Sequence, residues 1–156
     1  MKTELILVGK TNDKHFQEGI DDYCQRIGHY MPFSITVIPE LKNTKSLSFQ
    51  QQKEREGELI LAKLQSSDHV VLLDEHGKDF RSVEFARWIE QKNASVRRLV
   101  FVIGGPYGFS EAVYSRANEK ISLSKMTLSH QMVRLVFVEQ IYRACTIIKG
   151  EPYHHE

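Results

Sequence analysis

The chain has 156 residues, of which 41% are hydrophobic and 26% charged, and its formal net charge is +1 at pH 7. This length favours a single domain covering 1–156, and the near-neutral charge argues against an autonomous binder of free nucleic acid. No segment approaches the ~18 apolar residues of a membrane span, and no export signal is evident, so we expect a cytoplasmic protein without a membrane partner.

The two cysteines, Cys24 and Cys145, lie far apart on helical patterns and form no C-x-x-C motif. We therefore expect reduced thiols packed as small apolar groups, and neither a disulfide nor a bound metal.

The first third of the chain predicts two strand–helix units. Residues 4–8 form a short apolar strand, and Asp13 opens a helix with apolar residues at helical spacing. Alternating apolar residues over 33–37 predict a second strand, and a second helix is expected from about 48 to 64.

The remainder continues the alternation. Val70–Leu73 is a predicted strand ending at Asp74–Gly77, and a helix containing Phe85, Trp88 and Ile89 follows. Further predicted elements are strand Leu99–Ile103, helix Ser110–Asn118, strand Ile121–Leu123 and a long helix from about His130 to Lys149, stopped by Gly150 and Pro152.

This alternation predicts an α/β fold with a mostly parallel sheet and helices on both faces. Ligands of such sheets bind at the carboxyl ends of the strands. Possible pocket linings are therefore Gly9, Asp74–Gly77, Gly104–Gly105 and Leu123–Ser124.

The glycine-rich loop 104–108, directly after an apolar strand, is the first candidate for a ligand site. Glycines let a backbone approach a ligand closely, and Ser110 supplies an N-cap for the next helix. The loop lacks the Lys-Ser/Thr ending of a phosphate-binding P-loop, so a nucleotide hydrolase is poorly supported. A simple tight turn is the alternative to a ligand site.

Three segments stand in a specific order: Val71–Asp74 with Gly77–Lys78, then Ile103–Pro106 with Gly108, then Leu123–Leu128. Glu139–Ala144 and the terminal Pro152–His154 follow them. This ordered set resembles the SPOUT superfamily of S-adenosylmethionine-dependent RNA methyltransferases, specifically its small RlmH (YbeA-like) family, and the likeness extends over the whole chain.

The resemblance implies a trefoil knot in the C-terminal half, with the cofactor-binding knot in about 70–156 and the chain from Leu123 to Glu156 threaded through a loop. General topology rules alone predict an unknotted sheet. The resemblance also implies a homodimer with an active site built across the subunit interface, and no metal.

The resemblance assigns S-adenosylmethionine to backbone groups and an apolar adenine pocket. The residues so assigned are Leu73, Gly104, Gly105, Leu123, Ser124, Lys125, Met126, Thr127 and Leu128. For Leu73 and Leu128, plain core packing is the alternative.

The reaction that the resemblance implies is methylation of N3 of a pseudouridine in helix 69 of 23S rRNA on the assembled ribosome. His154 is the candidate base or hydrogen-bond partner, Tyr153 would pack on or orient the base, and Arg143 completes the catalytic set. A disordered polar tail is the alternative.

Candidate RNA contacts are His130, Arg134 and His155. Arg134 and Arg143 lie nine positions apart on one helix and so point in roughly opposite directions. In a dimer, one of them would complete its own site and the other its partner's; exposed solubilising arginines are the alternative. A non-catalytic RNA- or protein-binding module with the same fold is the remaining rival function.

Overall fold

The computed structural model describes all 156 residues, in which five strands alternate with five helices. In chain order they are β1 (Lys2–Val8), α1 (Lys14–Ile27), β2 (Phe33–Ile38), α2 (Phe49–Leu61), β3 (His69–Asp79), α3 (Ser82–Ser95), β4 (Arg98–Ile103), α4 (Glu111–Arg116), β5 (Glu119–Ser122) and α5 (Met132–Ile148), with a 3-10 turn at Thr44–Ser46.

The five strands form one sheet in the order β2-β1-β4-β3-β5, and every neighbouring pair is parallel. The central strands β1 and β4 are the most apolar, as expected for strands covered on both faces. The predicted parallel α/β fold is confirmed, and all strands deliver their carboxyl ends to one edge.

Alternate residues of the strands feed two cores. Leu5 and Phe101 point to the face covered by α1, α3 and α5, where Phe137 of α5 packs against them. Ile6 and Val102 point to the other face, which α2 and α4 cover. This period of two residues follows from the pleat of a strand, and it explains why both faces need helices.

The structure corrects the predicted end of β3. The strand continues to Asp79 through an irregularity between Leu73 and Lys78, where its register against β5 shifts. Gly77 permits this, because a Cβ there would lie 2.6 Å from the backbone nitrogen of Ile121. The prediction placed a turn at Asp74–Gly77, since polar residues and glycine there mimic a loop.

The structure also corrects the start of the last helix. Helix α5 begins at Met132, two residues after the predicted His130. Ser129 still works as a cap for this end, because its Oγ accepts a hydrogen bond from the Met132 amide at 3.1 Å. Gly150, with φ at +69°, ends the helix as predicted.

No helix combines the length and apolarity that crossing a membrane requires. Both cysteines are free thiols, and Cys145 is buried.

Candidate active site

A cleft of about 580 Å³ opens at the carboxyl edge of the sheet. It lies between the segments that follow β3, β4 and β5, and its volume suits a nucleoside-sized ligand. Nine residues of the predicted site line it: Leu73, Gly104, Gly105, Leu123, Ser124, Met126, Thr127, Leu128 and His130.

The predicted Asp74, Glu75 and His76 line the cleft as well, whereas three of the predicted lining residues, Gly9, Gly77 and Lys125, lie elsewhere. Gly9 lies outside the cleft, and its carbonyl oxygen accepts a hydrogen bond from Arg134. Lys125 projects into solvent, and its Nζ lies 3.9 Å from a carboxylate oxygen of Asp79. The prediction therefore assigned to cofactor binding a lysine whose side chain does not line the cleft.

The glycine-rich loop is tightly packed from behind. A Cβ on Gly104 would lie 2.9 Å from the Phe109 ring, and one on Gly105 would lie 2.7 Å from the Glu56 carboxylate. The Gly105 amide donates to Glu56 at 3.1 Å. Burial raises the pKa of Glu56 above its ordinary value, although this hydrogen bond opposes the rise. A side chain at either position would therefore require Phe109 or Glu56 to move, which favours glycine in this loop.

The charge of the cleft favours a cationic ligand. No lysine or arginine lines it, whereas Asp74 and Glu75 do. Burial alone would raise the pKa of Asp74, but hydrogen bonds from the Tyr114 hydroxyl and the His76 amide bring it below its ordinary value. An ionised carboxylate beside apolar walls and bent backbone suits a sulfonium-bearing nucleoside better than a phosphate.

Arg134, a predicted RNA contact, is almost completely buried, with 1% of its surface exposed. Its guanidinium donates to the carbonyl oxygens of Val8 at 2.7 Å and Gly9 at 2.9 Å, and to the Thr11 hydroxyl. Its Nε donates to the His130 carbonyl at 3.0 Å. The side chain therefore fastens the start of α5 to the end of β1, and this burial leaves it no surface for a phosphate.

The predicted catalytic residues form a second group, the tail cluster: Glu139, Arg143, Tyr153 and His154. Arg143 donates to Glu139 at 2.5 Å and to Nδ1 of His154 at 3.0 Å, and its guanidinium lies 4.8 Å from the Tyr153 ring centroid. The Tyr153 hydroxyl donates to the same Glu139 oxygen at 3.1 Å.

The C-terminal tail is fixed rather than disordered. Tyr30 donates to Glu151 at 2.5 Å, and Arg81 forms an ion pair with Glu156 at 3.1 Å. His155, the remaining predicted RNA contact, is exposed beside the cluster.

The tautomer of His154 follows from its neighbour. A guanidinium carries only N–H donors, so Nδ1 of His154 accepts from Arg143 and the proton of the neutral ring is on Nε2. That Nε2 is buried without a hydrogen-bond partner, and the Glu156 carboxylate is too distant at 3.7 Å. The tail cluster thus contains an N–H donor that has no hydrogen-bond acceptor within the chain.

The cleft and the tail cluster are separate within one subunit. None of Arg143, Tyr153 and His154 lines the cleft. Along α5, Arg143 lies ten residues beyond Val133, the last lining residue, which corresponds to about 15 Å at 1.5 Å per residue.

Comparison with known proteins identifies the family of this chain. The family model described as a predicted SPOUT methyltransferase matches residues 1–154. The chain belongs to the SPOUT methyltransferase family. It is therefore a methyltransferase, and membership implies the α/β knot predicted from the sequence.

Several relatives that align over the full length of this SPOUT methyltransferase have the name ribosomal RNA large subunit methyltransferase H. The protein of that name from Bacteroides fragilis is 66% identical, that from Phocaeicola vulgatus 64%, and that from Flavobacterium johnsoniae 56%. In each pair the alignment covers 100% of both chains. The predicted resemblance to the RlmH family is confirmed.

Glu139 and Glu56 are among the residues of the site that were missed from the sequence. Glu139 stands four positions before Arg143, a spacing that places both on one helix face and could have indicated their ion pair. Glu56 contacts Gly105 from 49 positions away, and no local pattern indicates that pairing. No group of three or more His, Cys, Asp or Glu side chains is arranged to hold a metal ion.

Proposed function

We propose that this SPOUT methyltransferase transfers a methyl group from S-adenosylmethionine to N3 of a pseudouridine in helix 69 of 23S rRNA, on the assembled ribosome. The proposal rests on one combination of findings. The lining of the cleft suits a cationic ligand, and the chain aligns over its full length with proteins named ribosomal RNA large subunit methyltransferase H. The finer target, N3 of that pseudouridine, follows from the family resemblance.

The cleft residues have the properties that the cofactor needs. Leu73, Leu123 and Leu128 provide apolar walls for an adenine, and Asp74 provides a negative charge for a positive ligand. S-adenosylmethionine supplies a methyl group already activated by its positive sulfur. The remaining task of the chain is to align the acceptor nitrogen and to deal with its proton.

Arg143 and His154 suit the second task. N3 of a uracil-type ring becomes nucleophilic when its proton leaves to water, and the resulting anion shares its charge with the adjacent carbonyl oxygens. The Arg143 guanidinium would stabilise that charge as a donor, and His154 would hold Arg143 in place through Nδ1. In this arrangement His154 does not act as the base, because Arg143 already occupies its free lone pair.

Tyr153 has a different role. Burial, together with hydrogen bonding to Tyr23 and Glu139, raises the pKa of its hydroxyl above the ordinary value, so the group stays protonated. It therefore does not take the N3 proton. Its ring, held under Arg143, offers a surface against which the target base would be oriented.

The separation of cleft and tail cluster supports an active site shared between two subunits. In a homodimer, the tail of one subunit would complete the cleft of its partner, and each dimer would contain two such sites. Ile148 of α5, which is 36% exposed, is available to contribute to the interface.

Mixed dimers test the shared site. Gly105→Arg would disable the cleft and Arg143→Ala the tail cluster. If the sites are shared, a random mixture of the two inactive variants recovers about a quarter of wild-type activity, since half of the dimers hold one intact site. If each subunit is complete alone, the mixture stays inactive, which contradicts the shared site.

The substrate is tested with labelled S-adenosylmethionine and ribosomes that lack the methylation, followed by mapping of the labelled nucleotide by mass spectrometry. We expect label on N3 of the helix 69 pseudouridine. Label on another nucleotide, or none despite cofactor binding, would refute the proposed target.

The net charge of +1 fits recognition of a preassembled surface, because a strong binder of naked RNA needs more basic charge. Methylation of isolated hairpins is therefore expected to be much slower than that of ribosomes. Equal rates on the two substrates would contradict this part of the proposal.

A further inference from the structure

The rim of the cleft carries an aromatic pair that the proposed reaction leaves unexplained. Tyr107 lies in the glycine-rich loop and lines the cleft, whereas Phe49 opens α2 outside it. Their rings stack with centroids 4.2 Å apart and planes inclined by 19°. Phe49 is 63% exposed and Tyr107 45%, so this apolar surface is not part of either core.

Both rings are presented from fixed backbone. Ser48 caps α2 in a capping box with Gln51, which holds Phe49 at the first helical position. On the other side, the Gly108 amide donates to the Gly105 carbonyl at 3.2 Å, which closes the turn that carries Tyr107. The stacked pair is therefore preorganised, and binding on it requires little ordering.

Two lysines stand close to the pair in the chain. Lys45 lies in the 3-10 turn before α2, and Lys53 stands one helical turn after Phe49 on the same side of the helix. Neither ammonium group has a carboxylate within ion-pair distance. An aromatic face with basic residues nearby is the combination that proteins use for a single-stranded base and its phosphates.

We propose that Phe49 and Tyr107 form a stacking platform for an unpaired nucleobase of the RNA substrate, next to the nucleotide that is methylated. This inference rests on the proposed RNA methylation. Two observations select a nucleobase: the platform is continuous with the cleft through Tyr107, and the lysines complement phosphates. If the aromatic pair were instead a lid over the cofactor, Phe49 would be expected to line the cleft, and it does not.

The test compares Phe49→Ala with Phe49→Trp in methylation of large ribosomal subunits. Stacking on an aromatic ring accounts for about 1–3 kcal/mol per base, so we expect Phe49→Ala to raise KM for the ribosomal substrate by roughly tenfold. The Kd for S-adenosylmethionine and the dimer mass should not change, and Phe49→Trp should restore KM. Leu59→Ala, which removes another exposed apolar side chain of α2, is the matched control and should leave KM unchanged.

Three outcomes for Phe49→Ala would overturn the platform. The first is an unchanged KM. The second is weaker binding of S-adenosylmethionine, which would indicate a lid over the cofactor, and the third is loss of the dimer, which would indicate a contact between subunits. Ultraviolet cross-linking to ribosomal subunits gives a readout that does not depend on methylation. We expect a nucleotide on the peptide containing Phe49 or Tyr107, and its absence would also overturn the platform. If the wild-type protein cross-links there but transfers no methyl group, the proposed function fails and the platform stands.

Discussion

The cleft and the tail cluster differ in the kinds of groups that form them. The cleft is built from backbone, glycines and leucines, and its charged lining groups are acidic. The tail cluster is built from side chains that hold one another through hydrogen bonds, with Arg143 at its centre. The first arrangement suits a ligand bound by shape, and the second suits a change of charge during a reaction.

Under the proposed function, ligand binding and chemistry would therefore be assigned to separate groups of residues. The cleft depends on close packing of elements from the whole sheet, whereas the tail cluster is formed by α5 and the last residues, with Tyr30 and Arg81 holding the tail from outside. A substitution in one region should therefore leave the other region intact.

The largest effect is expected for Gly105→Arg. The new side chain would start 2.7 Å from the Glu56 carboxylate, so the loop or Glu56 must shift to accommodate it, and the shape of the cleft would change. Calorimetry should detect no binding of S-adenosylmethionine, while circular dichroism shows a folded protein. Asn93→Arg, which adds an arginine at an exposed position of α3, is the control. If this variant also lost cofactor binding, the result would argue against a specific pocket at Gly105.

Arg143→Ala should show the reverse pattern. Removing a donor that stabilises developing negative charge reduces kcat by about 10²- to 10³-fold, while cofactor affinity stays at the wild-type value. Steady-state kinetics and calorimetry measure the two quantities. Arg87→Ala, on the exposed face of α3, controls for loss of a positive charge. A weakened cofactor affinity in Arg143→Ala would mean that the two regions are not separable.

Arg134→Met tests the connection between the regions. It leaves the buried carbonyl oxygens of Val8 and Gly9, and the partly buried one of His130, without their donor, so we expect a loss of about 3 kcal/mol in the free energy of unfolding. Denaturant titration measures it. Cofactor affinity should fall too, because His130 lines the cleft. An unchanged unfolding midpoint would show that Arg134 does not fasten α5.

The smallest effect is expected for Tyr114→Phe, which removes the hydroxyl that donates to Asp74. In the native protein the pKa of Asp74 is lowered, so this group stabilises the fold above its ordinary pKa of about 4 and the contribution is lost as the pH falls. The variant should be less stable by about 1 kcal/mol or less at neutral pH, with the difference vanishing in acid. A pH-independent difference would point to packing instead.

The sequence predicted the order of elements and most of the cleft, because both depend on local patterns. Strands of apolar residues ending in glycine or polar residues indicated the carboxyl edge, and nine of the expected residues line the cleft there. What failed depended on distant contacts. Arg134 reads as a surface residue until the end of β1 is placed beside it, and β3 looks complete at Leu73 until β5 pairs with its extension.

The knot was outside the reach of patterns for the same reason, since periodicity describes how residues alternate and not how one segment passes another. Only the ordered family motifs indicated it. The tautomer of His154 likewise required a neighbour eleven positions away to be placed within 3.0 Å.

The buried guanidinium of Arg134 joins residues 125 positions apart. One side of this contact belongs to β1, and the other to α5. Because His130 and Val133 line the cleft at the start of α5, the cleft closes only when these two distant elements have come together. A chain that lacks α5 would consequently lack the closed cleft.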